Sequence, residues 1–306
     1  MIVIIGFIIV TGAIAAGYLM EHGNLAVLFQ PAEVVIIFGA AFGAFLIASP
    51  MRVIKATASS IMKIFTNTAY IKADYLEMLM LLSEIFYKIR KQGLVSIEGD
   101  VDDPNESTIF KNYPKILKNH HAITFITDTL RMVITTTIEP HELESLMETE
   151  LEEHHEESLM PSKSIATTAD ALPGLGIVAA VLGVVLTMGK IGEPPEVLGQ
   201  SIGAALVGTF LGVLMCYGYV GPMAKNLEFI AQEELQYLNV LKIALKSFVS
   251  NNAAPMVAIE FGRRAIPAKQ RPSFVEVEDA VRKVRKSWLT KPSGFIKIDI
   301  LRDYHG

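Results

Sequence analysis

Residues 171–224 read ALPGLGIVAAVLGVVLTMG (171–189), KIGEPPE (190–196) and VLGQSIGAALVGTFLGVLMCYGYVGPMA (197–224): two long runs without Asp, Glu, Lys or Arg around a short polar connection. A hydrocarbon core about 30 Å thick needs about 20 mostly apolar residues at helical rise, so each run can cross a bilayer. Two further uncharged runs occupy residues 1–20 and 34–51. The chain therefore reads as four transmembrane helices in two hairpins. These runs explain the averages of the 306-residue chain: 51% hydrophobic, 19% charged, mean hydropathy +0.39. Such averages exclude disorder and point away from an ordinary soluble protein. A net charge of -5 offers no basic balance for nucleic acid, and a single cysteine, Cys216, excludes a disulfide framework or a cysteine zinc cluster. Ala13-Ile14-Ala15 imitates a signal-peptide cleavage site, but no Lys or Arg precedes the first run and a second span follows closely.

Orientation follows from the basic residues beside each span, which favour the cytoplasm. The connection 21–33 has no Lys or Arg, and 190–196 has only Lys190. Arg52, Lys55 and Lys63 follow the second span, Lys163 precedes the third, and Lys225 follows the fourth. The expected layout is hairpin 1 at 1–51, a cytoplasmic helical domain at 52–170, hairpin 2 at 171–224 and a cytoplasmic helical tail at 225–306, with both termini inside. On this layout no charge lies in a span, and Glu21, Glu33, Lys190, Glu193 and Glu196 belong to the outer connections. The cytoplasmic part then has the charge density of a soluble domain.

That part is predicted helical, giving an all-α polytopic membrane protein. Leu76, Leu79, Leu82, Phe86 and Ile89 form a helical stripe within 69–92 that Gly93 can end. A polar turn with Pro104 follows at 100–106. Helices are expected at about 114–138 and 141–159, and at 227–249, the last continuous with the fourth span if Pro222 only kinks it. A short charged helix near 275–288 precedes the tail.

An ion path through lipid normally marks itself with an ionisable residue in a span, and the layout above contains none. A conducting complex would then need its titrating carboxylate from a partner. Polar wall residues are few, and Thr209, beside Gly208, sits near the middle of the fourth span. Its hydroxyl either bonds back to its own helix or lines a path. Pro173 and Pro222 fall at a similar cytoplasmic depth, where paired prolines can form a hinge; Pro173 could alternatively occupy a first helical turn. Small residues recur at four-residue spacing, as in Gly39 with Gly43 and Ala204 with Gly208 and Gly212, which suits close helix packing within the chain or between copies. In the cytoplasm, a basic helix end at Arg90 and Lys91 precedes acids at Glu98, Asp100, Asp102 and Asp103. These are either solvated charges or a contact surface of separated signs. Residues 139–157 hold nine Glu and no Lys or Arg, with His141, His154 and His155, but lack the two-histidine i, i+4 spacing of a zinc helix. No metal site, cofactor or phosphate-binding glycine loop is read.

Arg90-Lys-Gln-Gly-Leu-Val-Ser-Ile-Glu98, Asp170 to Val185, Val207-Gly-Thr-Phe-Leu-Gly-Val-Leu214, Tyr217-Gly-Tyr-Val-Gly-Pro222, Glu260-Phe-Gly-Arg-Arg264 and Arg271-Pro-Ser-Phe274 together resemble the MotA family of flagellar motor stator subunits. The similarity runs from the N-terminus to about Trp288, and the residues from Lys291 have no counterpart. The resemblance implies a non-enzymatic, ion-driven motor component of the bacterial inner membrane, five copies surrounding two MotB-type chains that each bring a transmembrane Asp. It further implies that Arg90 and Glu98 engage the rotor protein FliG, that Pro173 and Pro222 couple ion passage to movement, and that Thr209 lines the ion path. Sodium-type relatives carry a hydroxyl seven residues after the first proline; Ala180 stands there, so the resemblance favours protons. A sodium-coupled stator and a TolQ/ExbB-type energiser are the alternatives, although the latter usually lacks the first hairpin. A passive scaffold leaves the prolines and Thr209 unexplained, and an intramembrane enzyme lacks a catalytic set in the spans.

Overall fold

The computed structural model describes residues 2–66, 69–249 and 253–290, and among them every regular element is helical. Helix α1 is Ile2–Met20, α2 the short Leu25–Leu28, and α3 Pro31–Ala48, opened by a proline at its first turn. Helix α4, Met51–Thr66, was not foreseen in the sequence; it is amphipathic, burying Thr57 and Ile64 and exposing Arg52 and Lys55. Helix α5 is Lys72–Gln92, and Gly93 ends it as expected, at φ 88° with its N–H on the Ile89 carbonyl. Short helices α6, Glu98–Asp102, and α7, Pro114–Lys118, lead to α8, His120–Thr135. The helix expected over 114–138 is split because Asn119 caps a new start, its side chain accepting from the Ala122 N–H.

Helix α9, Pro140–Met188, unites the expected 141–159 helix with the third span. Pro161 lies inside it without ending it: the carbonyl its missing N–H would have engaged belongs to Glu157, an exposed residue whose backbone can reach water. Pro173 is likewise internal, which removes the first-turn alternative. Helix α10, Pro195–Leu214, passes through a π turn at Met215–Val220 into α11, Gly221–Val249, so the fourth span and its amphipathic extension are continuous. Helices α12, Pro255–Ala265, and α13, Phe274–Thr290, complete the described chain.

Among the described residues, four stretches are long and apolar enough to cross a membrane: Ile2–Met20, Leu25–Ala48, Pro140–Met188 and Pro195–Val249. Their apolar windows bury between 0% and 28% of their residues within the chain. Apolar surface on that scale needs lipid or other subunits.

The chain divides into two units. One comprises Met1–Thr68 with Glu156–Ala231, and holds the spans. Its interior has two clusters, one around Ile37, Ala41, Ala169, Leu172, Ala179 and Cys216, the other around Ile64, Ile165, Ala224 and Leu227. The other unit comprises Ala69–His155 and the chain from Gln232 onward. It is organised around α5, in which every residue from Tyr75 to Phe86 is buried. Gly262 of α12 lets that helix approach, with the space for a Cβ only 3.1 Å from Leu79 and 3.0 Å from Ala244. Phe86 stacks on Phe248 at 4.0 Å between ring centres. Glu84 and Glu77 are buried in α5, and are held there by the Tyr113 hydroxyl at 2.9 Å and the Lys115 backbone N–H at 3.3 Å. Burial and the Glu84 carboxylate push the Tyr113 phenol well above its ordinary pKa, so it remains a donor.

Candidate functional site

In the membrane unit, α9 and α10 meet along a seam of glycines. A Cβ on Gly176 would lie 2.7 Å from the Gly208 carbonyl oxygen, and one on Gly212 would lie 2.5 Å from the Leu172 carbonyl and 2.9 Å from Gly176 Cα. Backbone therefore packs on backbone here, the close approach that small residues allow in lipid. Ala180 and Thr209 border this seam, both half-buried: the Ala180 N–H lies 3.1 Å from the space above Gly208, and Thr209 Cα lies 3.3 Å from that above Gly176. Thr187 and Thr11 each donate to the carbonyl four residues earlier, Gly183 and Phe7, at 2.8 Å. Among the described residues Thr209 makes no such bond, so its hydroxyl is available to another partner.

At the other end of the seam the proline geometry is explicit. Pro173 withdraws the N–H that would meet the Ala169 carbonyl, and Pro222 withdraws the one for Gly218. Before Pro222 the helix widens: the Gly221 N–H bonds to the Cys216 carbonyl, five residues back, which defines the π turn. Two neighbours fasten this segment. Tyr219 shares a 2.7 Å hydrogen bond with Thr11 and meets Phe7 edge-on, and the buried Ser162 hydroxyl donates to the Ala224 carbonyl at 2.7 Å.

Glu33 departs from the layout read in the sequence. The sequence layout places it in an outer connection, but it lies in the first turn of α3, is 7% exposed, and reaches the seam. Its Oε2 stands over Gly208, and its Oε1 lies 3.5 Å from where a Cβ of Gly183 would sit. The hairpins therefore do carry an ionisable side chain of this chain's own.

In the other unit, Arg90 and Glu98 are both exposed. Arg90, in the last turn of α5, donates to the Ala253 carbonyl at 2.8 Å and lies over the Phe248 ring at 5.3 Å, which fixes the arm and leaves the charge at the surface. Glu98 opens α6.

The chain matches the Motility protein A N-terminal family over residues 4–93 and the MotA/TolQ/ExbB proton channel family over residues 118–239. It is 41% identical to Motility protein A of Salmonella typhimurium over 285 residues, covering 93% of this chain and 96% of that protein, and equally similar to the Escherichia coli protein. The chain belongs to the Motility protein A family. The chemotaxis protein LafT of Vibrio parahaemolyticus is 32% identical over 95% of this chain and 99% of its own. Among solved structures, Campylobacter jejuni MotAB superposes with a TM-score of 0.72 at 18% identity, covering 89% of this chain and 98% of that one. The Bacillus subtilis flagellar MotAB stator complex gives 0.70 at 23%, covering 88% and 96%. These two share the fold of this chain.

Several charges that the sequence presents as surface features are structural in this chain. Asp100 is buried, paired with Lys88 at 2.5 Å and accepting from the Ser107 hydroxyl at 2.6 Å, while Asp102 pairs with Arg131. Of the glutamates in 139–157, Glu148 pairs with Lys242 and Glu144 with Lys246. His154 is matched not with His155 but with His121 and Glu234, whose ligand atoms lie within 4.8 Å of one another; His154 Nε2 is 3.4 Å from Glu234 Oε1. Only spatial contact joins these three, so spacing could not find them.

The tail motifs are similarly structural. Glu260 accepts from Arg263 at 2.7 and 2.8 Å and from Arg264 at 2.7 Å; Ser273 and Glu276 form a reciprocal capping box for α13, with Lys72 on Glu276 at 2.6 Å. These bonds hold both carboxyls down at about 2, against an ordinary 4.5. A lowered pKa stabilises the fold above about pH 4.5, and that contribution is lost as pH falls toward about 2. Each group contributes about 1–2 kcal/mol once screening at the surface is allowed for. Thermal unfolding of the solubilised protein should show Glu260→Gln to be destabilising at neutral pH, with the difference from the unmodified protein closing toward about pH 2. A pH-independent difference would contradict the assignment.

Proposed function

We propose that this chain is the membrane subunit of a proton-driven flagellar stator, working with a MotB-type partner and acting on the rotor through Arg90 and Glu98. The observation that carries the reading is the 41% identity to Motility protein A through 93% of the chain. The role is that of a channel and motor part, not an enzyme. Five copies surround two partner chains in the inner membrane, with residues 52–170, 225–306 and both termini in the cytoplasm. The partner brings a transmembrane Asp and holds the peptidoglycan. FliG is the rotor target.

The described geometry supports these roles. Thr209 offers a free hydroxyl on the seam where Ala180 supplies no oxygen, which suits a proton better than a dehydrated cation needing several oxygen ligands. Pro173 and Pro222 make each helix of the hairpin bendable. Exposed charges suit a surface engaged and released at every step: an ion crossing 100 mV releases about 2.3 kcal/mol, while an exposed ion pair contributes about 0–1 kcal/mol.

Swimming of a deletion strain complemented with Arg90→Glu or Thr209→Ala tests the assignment. Arg90→Glu should reduce swimming speed at least several-fold with unchanged protein level, and Thr209→Ala should slow swimming less severely. Swimming should be lost under a protonophore and persist in low sodium. Full speed in both variants would remove these residues from the mechanism, and loss on sodium removal alone would reverse the coupling ion.

A further inference from the structure

Among the described residues, Glu33 accepts no hydrogen bond, whereas each of the other buried carboxylates, Glu77, Glu84 and Asp100, accepts at least one. Glu33 Oε2 is buried without any hydrogen-bond partner, in a side chain whose residue is 93% enclosed. No charged or titratable group compensates it from the helices packed on it. The membrane stretches of α9 (171–188) and α10 (197–214) contain no Asp, Glu, Lys, Arg or His, α2 contains none, and Glu33 is the sole such residue of α3.

An unpaired carboxylate anion at such a place is costly, and the group relieves that cost by taking up a proton. A structural carboxyl would instead be matched by a donor, as in the other unit. The cradle is also specific to the group. A Cβ at Gly208 would occupy the place of the carboxyl Oε2, so glycine there keeps that space open, while Gly183, whose own close neighbour is Ala205, lies in ordinary contact with Oε1 at 3.5 Å. Gly208 is next to Thr209 in sequence and borders Ala180 in space, which puts Glu33 at the same junction as the proposed path. Two carboxyl oxygens alone do not replace the hydration shell of a metal cation, so the ligand that fits is a proton.

We propose that Glu33 is a proton-binding site contributed by this chain itself, loaded from the outer side where α3 begins. The step is reversible: the carboxylate takes a proton from hydronium, giving a carboxylic acid and water, and gives the same proton back when the site changes. The inference rests on the orientation and conduction of the proposed function, which supplies the outer side and the flow.

The complex of this chain with its MotB-type partner, reconstituted in vesicles containing a pH-sensitive dye, provides the test. The unmodified complex should acidify the lumen when a gradient is imposed; silence there would overturn the proton-driven reading and this site with it. In an assembled complex, Glu33→Gln, nearly equal in shape but unable to titrate, should lower the flux at least ten-fold, and Glu33→Asp should retain an intermediate flux. Undiminished flux in assembled Glu33→Gln, beside a conducting unmodified complex, would overturn the Glu33 site alone. A second measurement does not depend on any variant folding. A hydrophobic carbodiimide, which reacts with protonated carboxyls in apolar surroundings, should label Glu33 of the unmodified complex in peptide mass mapping. An unlabelled Glu33 would overturn the proposal.

Discussion

Gly212→Val is expected to leave little or no assembled protein in the membrane. A Cβ at this position lies 2.5 Å from the Leu172 carbonyl oxygen, 2.9 Å from Gly176 Cα and 3.2 Å from Gly176 N, all main-chain atoms of the facing helix. No side chain can rotate away, so α9 and α10 must separate over this crossing. Overpacking of a core costs about 1–3 kcal/mol where side chains yield. Here the backbone itself must move, and association in lipid depends on the close packing that would be lost. Membrane abundance and co-purification with the partner should fall at least ten-fold relative to Gly199→Val, where a Cβ meets no described atom within 4 Å. Equal abundance of the two variants would show that the crossing is looser than described.

Pro173→Ala should stop swimming without harming the protein. The substitution restores an N–H for the Ala169 carbonyl and removes the ring that disturbs the helix, so the unbent form of α9 is stabilised by about 3 kcal/mol. That is more than the roughly 2.3 kcal/mol one ion delivers per 100 mV. If movement requires α9 to bend at Pro173, the stiffened helix stalls. Membrane level and association with the partner should be unchanged while swimming speed falls at least ten-fold. Normal speed would exclude Pro173 as the coupling hinge.

The spans were legible because lipid enforces a simple rule: absence of charge over about 20 residues. The stripe of Leu76, Leu79, Leu82 and Phe86 and the stop at Gly93 were legible for similarly local reasons. Periodicity understated α5, which is buried all round from Tyr75 to Phe86 because several elements converge on it, a property no single helix encodes. Pro173 can be read from the sequence as a first-turn residue because proline is common there, but α9 runs through it and through Pro161. Glu33 was misplaced by one residue's margin: a charge at the edge of an apolar run reads as loop until glycines on two other helices are seen to enclose it. Thr209 and the prolines stand out in the sequence and Ala180 only through the family resemblance; the seam brings Thr209 and Ala180 to one junction. Asp100 with Lys88 and Ser107 is a buried network that charge patterning could only present as a surface patch.

The glycines of the spans form two populations with different consequences for variation. Gly176, Gly183, Gly208 and Gly212 face atoms of the same chain, whereas Gly12, Gly39, Gly43, Gly199 and Gly203 face none within 4 Å. Alanine at the first group perturbs the folding of a single molecule. At the second it adds a methyl that an isolated molecule does not register, so any defect measures contacts formed only when copies or partners meet. A library scored separately for abundance and for motility would therefore sort these positions, making the outward glycines an internal gauge of assembly.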